Sequence, residues 1–517
     1  MPTANPIQPT AEAPSTETAA ARLNQLHEQV AALRDDVART GAWLAASWGE
    51  VPPDAPFYPA AANLAHYLAL RRHDLSALQP RLSAFGLSSL GRSEARVLPS
   101  LDAMLATLAR LTGAGDPEYP DPAALTQGSE ILRREQQRLF GSDPEGSLTR
   151  IMVTLPAEAG HDAGLARRLV EAGMNCARIN CAHDNPDVWA SMIANVRAAA
   201  EAAGRSCRVL MDIAGPKCRL DTVRADRRPR LFRGDRFVLV RDLVLAEQGD
   251  DAVATLSFPN IVDTLVPGTA VWINDGKVGA RIVEQHAGRA VLEVFSVRAK
   301  GAKLKPEKGV NFPGTELHLP PVTPDDFPAL DFVARHADLV GFSFVQRRDD
   351  IALLDRELAR RRPGMDAQPV ILKIETATAV RNLPSLIVAA AATRPVAVMI
   401  ARGDLAVELG FSRLSEIQEE ILWLCDAAHV PVVWATQVLD NLVADGSPSR
   451  AEATDAAMSQ RAECVMLNKG PFLVEAVLFL KDVLHRMDRH QAKKSARLAP
   501  LRSWTPESQQ GVHSRAR

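Results

Sequence analysis

Cysteine is scarce. The six residues Cys176, Cys181, Cys207, Cys218, Cys425 and Cys464 are spread over 517 positions, with no C-x-x-C pair. That excludes a disulfide framework and argues against a zinc finger; reduced, packed thiols fit a cytosolic chain. Aromatics make up only 5%, too few for stacking platforms that hold single strands. Neither sign of charge dominates: 60 Lys plus Arg stand against 62 Asp plus Glu, a net charge of -2. This balance argues against a general nucleic-acid coat or a membrane-surface binder, yet leaves room for a local basic pocket. No apolar run reaches the roughly 18 residues of a membrane span. The first twenty residues lack the basic start and apolar stretch of a secretory signal. The expectation is a cytoplasmic protein with neither nucleic acid nor membrane as a partner. What is present is globular: 46% hydrophobic and 24% charged, long enough for two to four domains of about 100–200 residues.

Residues 1–20 read as a disordered tail. From 21 to 147 the pattern is helical. Leu23, Leu26, Val30, Leu33 and Val37 recur on one amphipathic face, and further helical stretches follow at 57–76 and 93–112, the last with Ser93 as its expected N-cap. From 148 the texture changes. Short apolar runs at 150–155, 176–181, 208–213, 339–345, 369–375, 396–402, 431–436 and 464–468 alternate with helix-length stretches. Runs apolar on both faces suit parallel strands covered on both sides, and eight such units predict an α/β fold, a (β/α)8 TIM barrel. Between the third and fourth runs lie the alternating segments RFVLVRD, AVWIND, ARIVEQ and AVLEVFSV. They predict a small β-barrel domain inserted at 221–309. The catalytic barrel then occupies 148–220 and 310–490, and 491–517 reads as a polar tail.

In such a barrel the chemistry lies where the strands end, and the unusual polar residues fall there. The second run ends in Arg178-x-Asn180 with His183 after it. The third ends in Asp212, before Lys217 and Arg219. The fourth ends in Ser343, the fifth in Lys373-x-Glu375, the sixth in Arg402-Gly403-Asp404, and the seventh in Thr436. Glu375 and Asp404 offer oxygen ligands to a hard divalent cation such as Mg2+. For any single pair an ion-pair lattice, Glu375 with Lys373 or Arg402, competes with that reading; six polar strand ends on one rim favour a site. Arg178, Lys373 and Arg219 bring positive charge for phosphate. A helix starting at Gly403-Asp404 offers amides to a carboxylate. Together these describe a site for a small substrate bearing phosphate and carboxylate, with the inserted module as a lid that excludes water.

The motifs are specific as a series. EAGMNCARINCAH resembles the AGM-N-VARLNFSHG of the pyruvate kinase family, and MDIAGPKCR resembles its LDTKGPEIR. INDGKV, KGVNFPG, VGFSFV, LKIET, IARGDLAVEL, VVWATQVLDNL and SRAEATDAA follow in family order over about residues 150–485. The resemblance implies phosphoryl transfer from phosphoenolpyruvate to ADP, giving pyruvate and ATP, with Mg2+ or Mn2+. It implies that Lys373, Arg178 and Thr436 are catalytic, and that Arg178, Lys373, Gly403, Asp404 and Thr436 bind substrate. Asn180, His183 and Lys308 would meet the nucleotide, and Glu375 and Asp404 the metal.

Departures from the family pattern carry expectations of their own. Ala182 and Ile213 stand where the family places a serine and a threonine around K+. Lys217 stands where it usually has Glu, so an ammonium near Asn180 and Asp212 is expected to replace the monovalent cation, and K+ is not required. The first loop reads VTLPAEAG, and the eighth is shortened to Asn468-Lys469-Gly470-Pro471. The family's C-terminal regulatory domain is not expected, and a homo-oligomer stays open. Two other readings remain: a non-catalytic or regulatory relative that binds phosphoenolpyruvate-like ligands, and a metal-dependent lyase or aldolase acting on pyruvate enolate.

Overall fold

The computed structural model describes residues 18–49, 51–225, 227–493 and 495–496. The described chain divides into two compact units, one holding residues up to Ser47 with Ala62–Gly128, the other Trp48–Ala61 with Ser129 onward. The first unit is helical. Helix α1 (Ala19–Trp48) begins inside the stretch expected to be a tail, and residues 1–17 lie outside the described residues. Its expected face is real: Leu26, Val30, Leu33 and Val37 are buried. Helices α2 (Tyr58–Leu70), α3 (Leu78–Ser83) and α4 (Val97–Thr112) follow, and α5 (Pro122–Phe140) starts in the first unit and continues past Gly128 as part of the second. Ser93 does not cap α4. Its hydroxyl donates to Leu90 O, and the Val97 amide donates instead to Asn63 Oδ1 at 2.9 Å, from α2. A cap reached through tertiary contact displaced the local one.

The second unit contains a closed barrel of eight parallel strands. Strand β1 (Arg150–Thr154), α6 (Ala163–Ala172), β2 (Cys176–Asn180), α7 (Pro186–Ala202) and β3 (Arg208–Asp212) form its first part. Helix α7 starts where Asn185 Oδ1 accepts the Asp187 and Val188 amides and Pro186 needs no partner. The chain then leaves the barrel for seven strands: β4 (Leu220–Arg224), β5 (Arg236–Val240), β6 (Val253–Leu256), β7 (Ala270–Ile273), β8 (Val278–His286), β9 (Arg289–Val297) and β10 (Val310–Asn311), with α8 (Ile261–Thr264) between β6 and β7. Their order is β10-β7-β8-β9-β5-β6-β4, and an isolated Arg219–Gly309 bridge joins the two ends of the sheet.

The barrel resumes with α9 (Asp326–His336), β11 (Leu339–Phe342), α10 (Arg348–Arg361), β12 (Val370–Ile374), α11 (Ala377–Ala391), β13 (Val396–Ala401), α12 (Arg402–Leu409), α13 (Phe411–Ala427), β14 (Val432–Ala435), α14 (Asp440–Asp445), α15 (Arg450–Ser459), β15 (Cys464–Leu467) and α16 (Leu473–Met487). Each strand lies within its expected run. In the stretch read as a polar tail, β16 (Gln491–Ala492) pairs with β17 (Ser495–Ala496), and 497–517 lie outside the described residues. Among the described residues no helix is long and apolar enough to cross a membrane.

The start of the barrel is plugged by a segment read only as helical extension. Leu139 and Phe140, the end of α5, are fully buried in one cluster with Met152, Leu210 and Met399 from the strands. Gln136 Nε2 donates to Glu463 O at 2.8 Å, and Arg150 Nε donates to Gly141 O at 2.9 Å, pinning the plug below β1 and β15.

Candidate active site

Strand register sets the site. Thr154 lies beside Arg178, Asn180 beside Asp212, and Gly341 beside Asp212. At Gly341 even a methyl group is too much: a Cβ there would stand 1.8 Å from Asp212 Oδ1. Arg178 Nε donates to Asp212 Oδ2 at 2.8 Å and Nη1 donates to Thr154 Oγ1 at 2.9 Å. Lys373 Nζ donates to Ser343 Oγ at 2.7 Å, and lies 3.3 Å from Glu375 Oε1 and 3.5 Å from Asp212 Oδ2. Ser343 in turn donates to Ile213 O. The Phe344 amide donates to Glu375 Oε2 at 2.6 Å, presented by a backbone φ of 56°.

These contacts decide the ionisation. Burial would raise the Asp212 carboxyl, but Arg178 and Lys373 hold it below its ordinary value. Burial would lower the Lys373 ammonium, but Glu375 and Asp212 carry it above the usual range. Glu375 is pushed up by burial, which Lys373 opposes and the Asp404 charge reinforces. Buried Glu375 and half-buried Asp404 form an all-oxygen pair in which the Asp404 charge raises the Glu375 carboxyl, a donor set that fits a hard divalent cation once that cation takes over Asp404 from Lys217. Among the described residues no group of three or more His, Cys, Asp or Glu is placed to hold a metal. Further ligands would therefore come from substrate or water, as is usual for Mg2+.

The next strand end is clamped. Arg402 Nε and Nη2 donate to Ala435 O and Thr436 O at 2.9 and 2.6 Å, and its guanidinium pairs with Asp455. This holds Thr436 at a φ of 59°, an outlier for a β-branched residue. Thr436 Oγ1 accepts the Gly403 amide at 2.8 Å. The Gly403 amide, expected to face a substrate carboxylate, is thus already engaged.

Arg178, Asn180, Lys217, Lys373, Glu375, Asp404 and Thr436 line one cavity of about 160 Å³. His183 and Lys308 do not. His183 is exposed in the loop after β2, its imidazole pulled down by partial burial and by Lys469, with Arg219 and Arg178 adding to this. Lys308 sits on the chain leaving the β module, its carbonyl bonded to the Leu220 amide. Lys217 departs from expectation. Its ammonium donates to both Asp404 oxygens at 2.8 and 2.9 Å. Asp212 already has two cations on Oδ2, while its buried Oδ1 has no hydrogen-bond partner among the described residues. Thr154 and Asp455 were missed. Thr154 ends strand β1 in register with Arg178, one residue before the end of its apolar run, and a polar residue at that place is a signal the sequence carries. Asp455 lies mid-helix and carries no such mark.

A sequence model of the pyruvate kinase barrel domain matches residues 147–477. Similar proteins include the pyruvate kinase of Geobacillus stearothermophilus, 32% identical over 66% of this chain and 57% of its own length. Those of Agrobacterium vitis and Thermococcus litoralis are 33% and 30% identical, over 66% and 69% of this chain and 69% and 72% of theirs. The chain thus spans little more than half of the first relative and about 70% of the other two. The barrel match covers most of the chain, and relatives at this identity extend over two thirds of it: the chain belongs to the pyruvate kinase family.

Proposed function

We propose that this protein transfers the phosphoryl group of phosphoenolpyruvate to ADP, releasing pyruvate and ATP, with Mg2+ or Mn2+ and without K+. The observation that supports it is the meeting of Arg178, Lys373, Glu375, Asp404 and Thr436 around one cavity at the strand ends. Phosphoryl transfer needs mainly positioning and charge neutralisation. Arg178, oriented by Asp212 and Thr154, grips phosphate oxygens. Lys373, kept charged by its two carboxylates, stabilises the moving phosphoryl group. A divalent cation bound at Glu375 and Asp404 would offset the anionic charge of the phosphate. Thr436 accepts from Gly403 and so keeps its own proton to donate, through water, toward the enol carbon. Asn180, His183 and Lys308 meet the nucleotide phosphates as the lid closes. Ala182 and Ile213 offer no side-chain oxygen to a monovalent cation, and Lys217 sets an ammonium at the cavity wall, which supports K+ independence.

A lactate dehydrogenase-coupled assay with phosphoenolpyruvate, ADP and Mg2+, buffered with tetramethylammonium in place of K+, tests this. ADP-dependent pyruvate formation is expected. Pyruvate formed without ADP would mean that water takes the phosphoryl group, which is hydrolysis and not transfer to a nucleotide. Binding of phosphoenolpyruvate with no turnover at any K+ concentration would favour a non-catalytic relative.

A further inference from the structure

Helix α12 holds both chains that join the β module to the barrel. Lys217, on the chain leading into the module, donates to both oxygens of Asp404. Asn311, on β10 leading out of it, donates from Nδ2 to Glu408 Oε1 at 3.2 Å. Asp404 and Glu408 are four residues apart, so they lie on one face of the helix, one turn apart. Between them, Val407 approaches the β7–β8 turn: a Cβ built on Gly276 would stand 3.8 Å from it. The two connecting chains are themselves zipped together, Val310 N to Cys218 O and Leu220 N to Lys308 O, both at 2.8 Å. They also lie in close contact, since a Cβ on Gly309 would come within 2.9 Å of the Lys217 side chain. The root of α12 is in turn fixed to β14 through Arg402 and Gly403.

The two clasps differ in one respect. Lys217 and Asp404 line the cavity assigned to substrate, so whatever engages Asp404 there disturbs that contact. Asn311 and Glu408 do not line it; they line an adjoining cavity of about 190 Å³ that shares Lys217 and Phe344 with the first. The Asn311–Glu408 hydrogen bond itself involves neither Lys217 nor Asp404.

We propose that Glu408 is a positioning residue: through Asn311 it anchors the outgoing chain of the β module to the helix that carries Asp404, and so sets how the lid stands over the pocket. The inference rests on the proposed function for its kinetic consequence only. Motions of this kind gate access and complete a site without taking part in the chemical step.

The test compares Glu408→Ala, Asn311→Ala and Glu408→Gln, the last retaining an acceptor oxygen for Asn311. Amide hydrogen exchange of the full chain, in EDTA and without substrate, reads the lid directly. Glu408→Ala and Asn311→Ala are expected to speed exchange across 220–297 by about fivefold or more, leaving the barrel strands unchanged, with Glu408→Gln near wild type. In the coupled assay the two alanine variants should raise the KM for ADP more than they lower kcat, with Glu408→Gln restoring it. Unchanged lid exchange in both alanine variants overturns the proposal, as does an equal rise in lid and barrel. If the wild-type protein has no transfer activity but lid exchange responds as expected, the functional reading fails and the clasp stands.

Discussion

In the proposed transfer, Lys373 carries the heaviest chemical demand of any single side chain. It is buried, yet Glu375 and Asp212 keep it charged, and Ser343 fixes the direction of one N–H. Lys373→Met should lower the transfer rate by about 10²–10³-fold or more, the scale of losing one preorganised charge. Mn2+ affinity should stay within a few fold, because Glu375 and Asp404 remain. Rapid-quench transfer and paramagnetic Mn2+ titration measure the two separately; normal turnover would refute the role given to Lys373. Glu408 shows the opposite balance. Burial pushes its carboxyl up to about 7; the Asn311 hydrogen bond opposes this and the Asp404 charge adds to it. A folded-state value above the unfolded 4.5 means the folded protein holds this proton more tightly. The contribution is full below about pH 4.5 and is lost as pH rises through about 7. Glu408→Gln removes the buried charge, so in EDTA it should melt a few degrees above wild type at pH 8. The gain should vanish near pH 4.5 in scanning calorimetry.

Among the elements, α5 does work that its sequence pattern conceals. Its last two residues close the barrel at the end away from the polar rim, with Leu139 and Phe140 wholly excluded from solvent. Phe140→Ala should cost about 3–5 kcal/mol, the range for emptying a buried aromatic site. The urea midpoint should fall accordingly, while kcat per folded molecule at low temperature stays near wild type. A stable variant with reduced kcat would mean instead that the plug communicates with the rim. The loop after β14 is the counterpart at the polar rim. Thr436, Gln437 and Leu439 all have positive φ, and the Arg402 clamp on two carbonyls holds that strain. Strain of this kind costs on the order of 1–3 kcal/mol per residue and persists only where surrounding contacts enforce it.

Taken as one molecule, the second unit joins the barrel to the β module through two connections, and the Lys217–Asp404 pair sits at their junction. The Lys217 ammonium lies on Asp404 and not beside Asn180 and Asp212, yet it lines the same cavity, and the proposed K+ independence needs its charge to act from there. Replacing K+ by tetramethylammonium at constant ionic strength should change the steady-state rate by less than about twofold, given that screening is then held equal. A rise of tenfold or more on adding K+ would show that Lys217 does not supply that charge.

Much of this was readable from residue order. The eight barrel strands announce themselves because parallel strands buried on both faces need unbroken apolar runs. The polar rim is legible because a charged residue closing such a run has nowhere to point but the strand end. Strands β4, β6 and β10 were not legible: they are short, β4 is largely exposed, and pairing rather than pattern makes them strands. Local order likewise set the amphipathic face of α1 but not the cap of α4, which comes from Asn63. Residue order thus determined the barrel, the inserted module and the set of polar residues at the rim, since periodicity and burial act over a few neighbouring positions. Folding in three dimensions decided who pairs with whom: Lys217 with Asp404 rather than Asp212, Thr436 with Gly403, and Phe140 inside the barrel. Such partnerships join residues far apart in the chain, and only strand register and competition among nearby charges can choose between them.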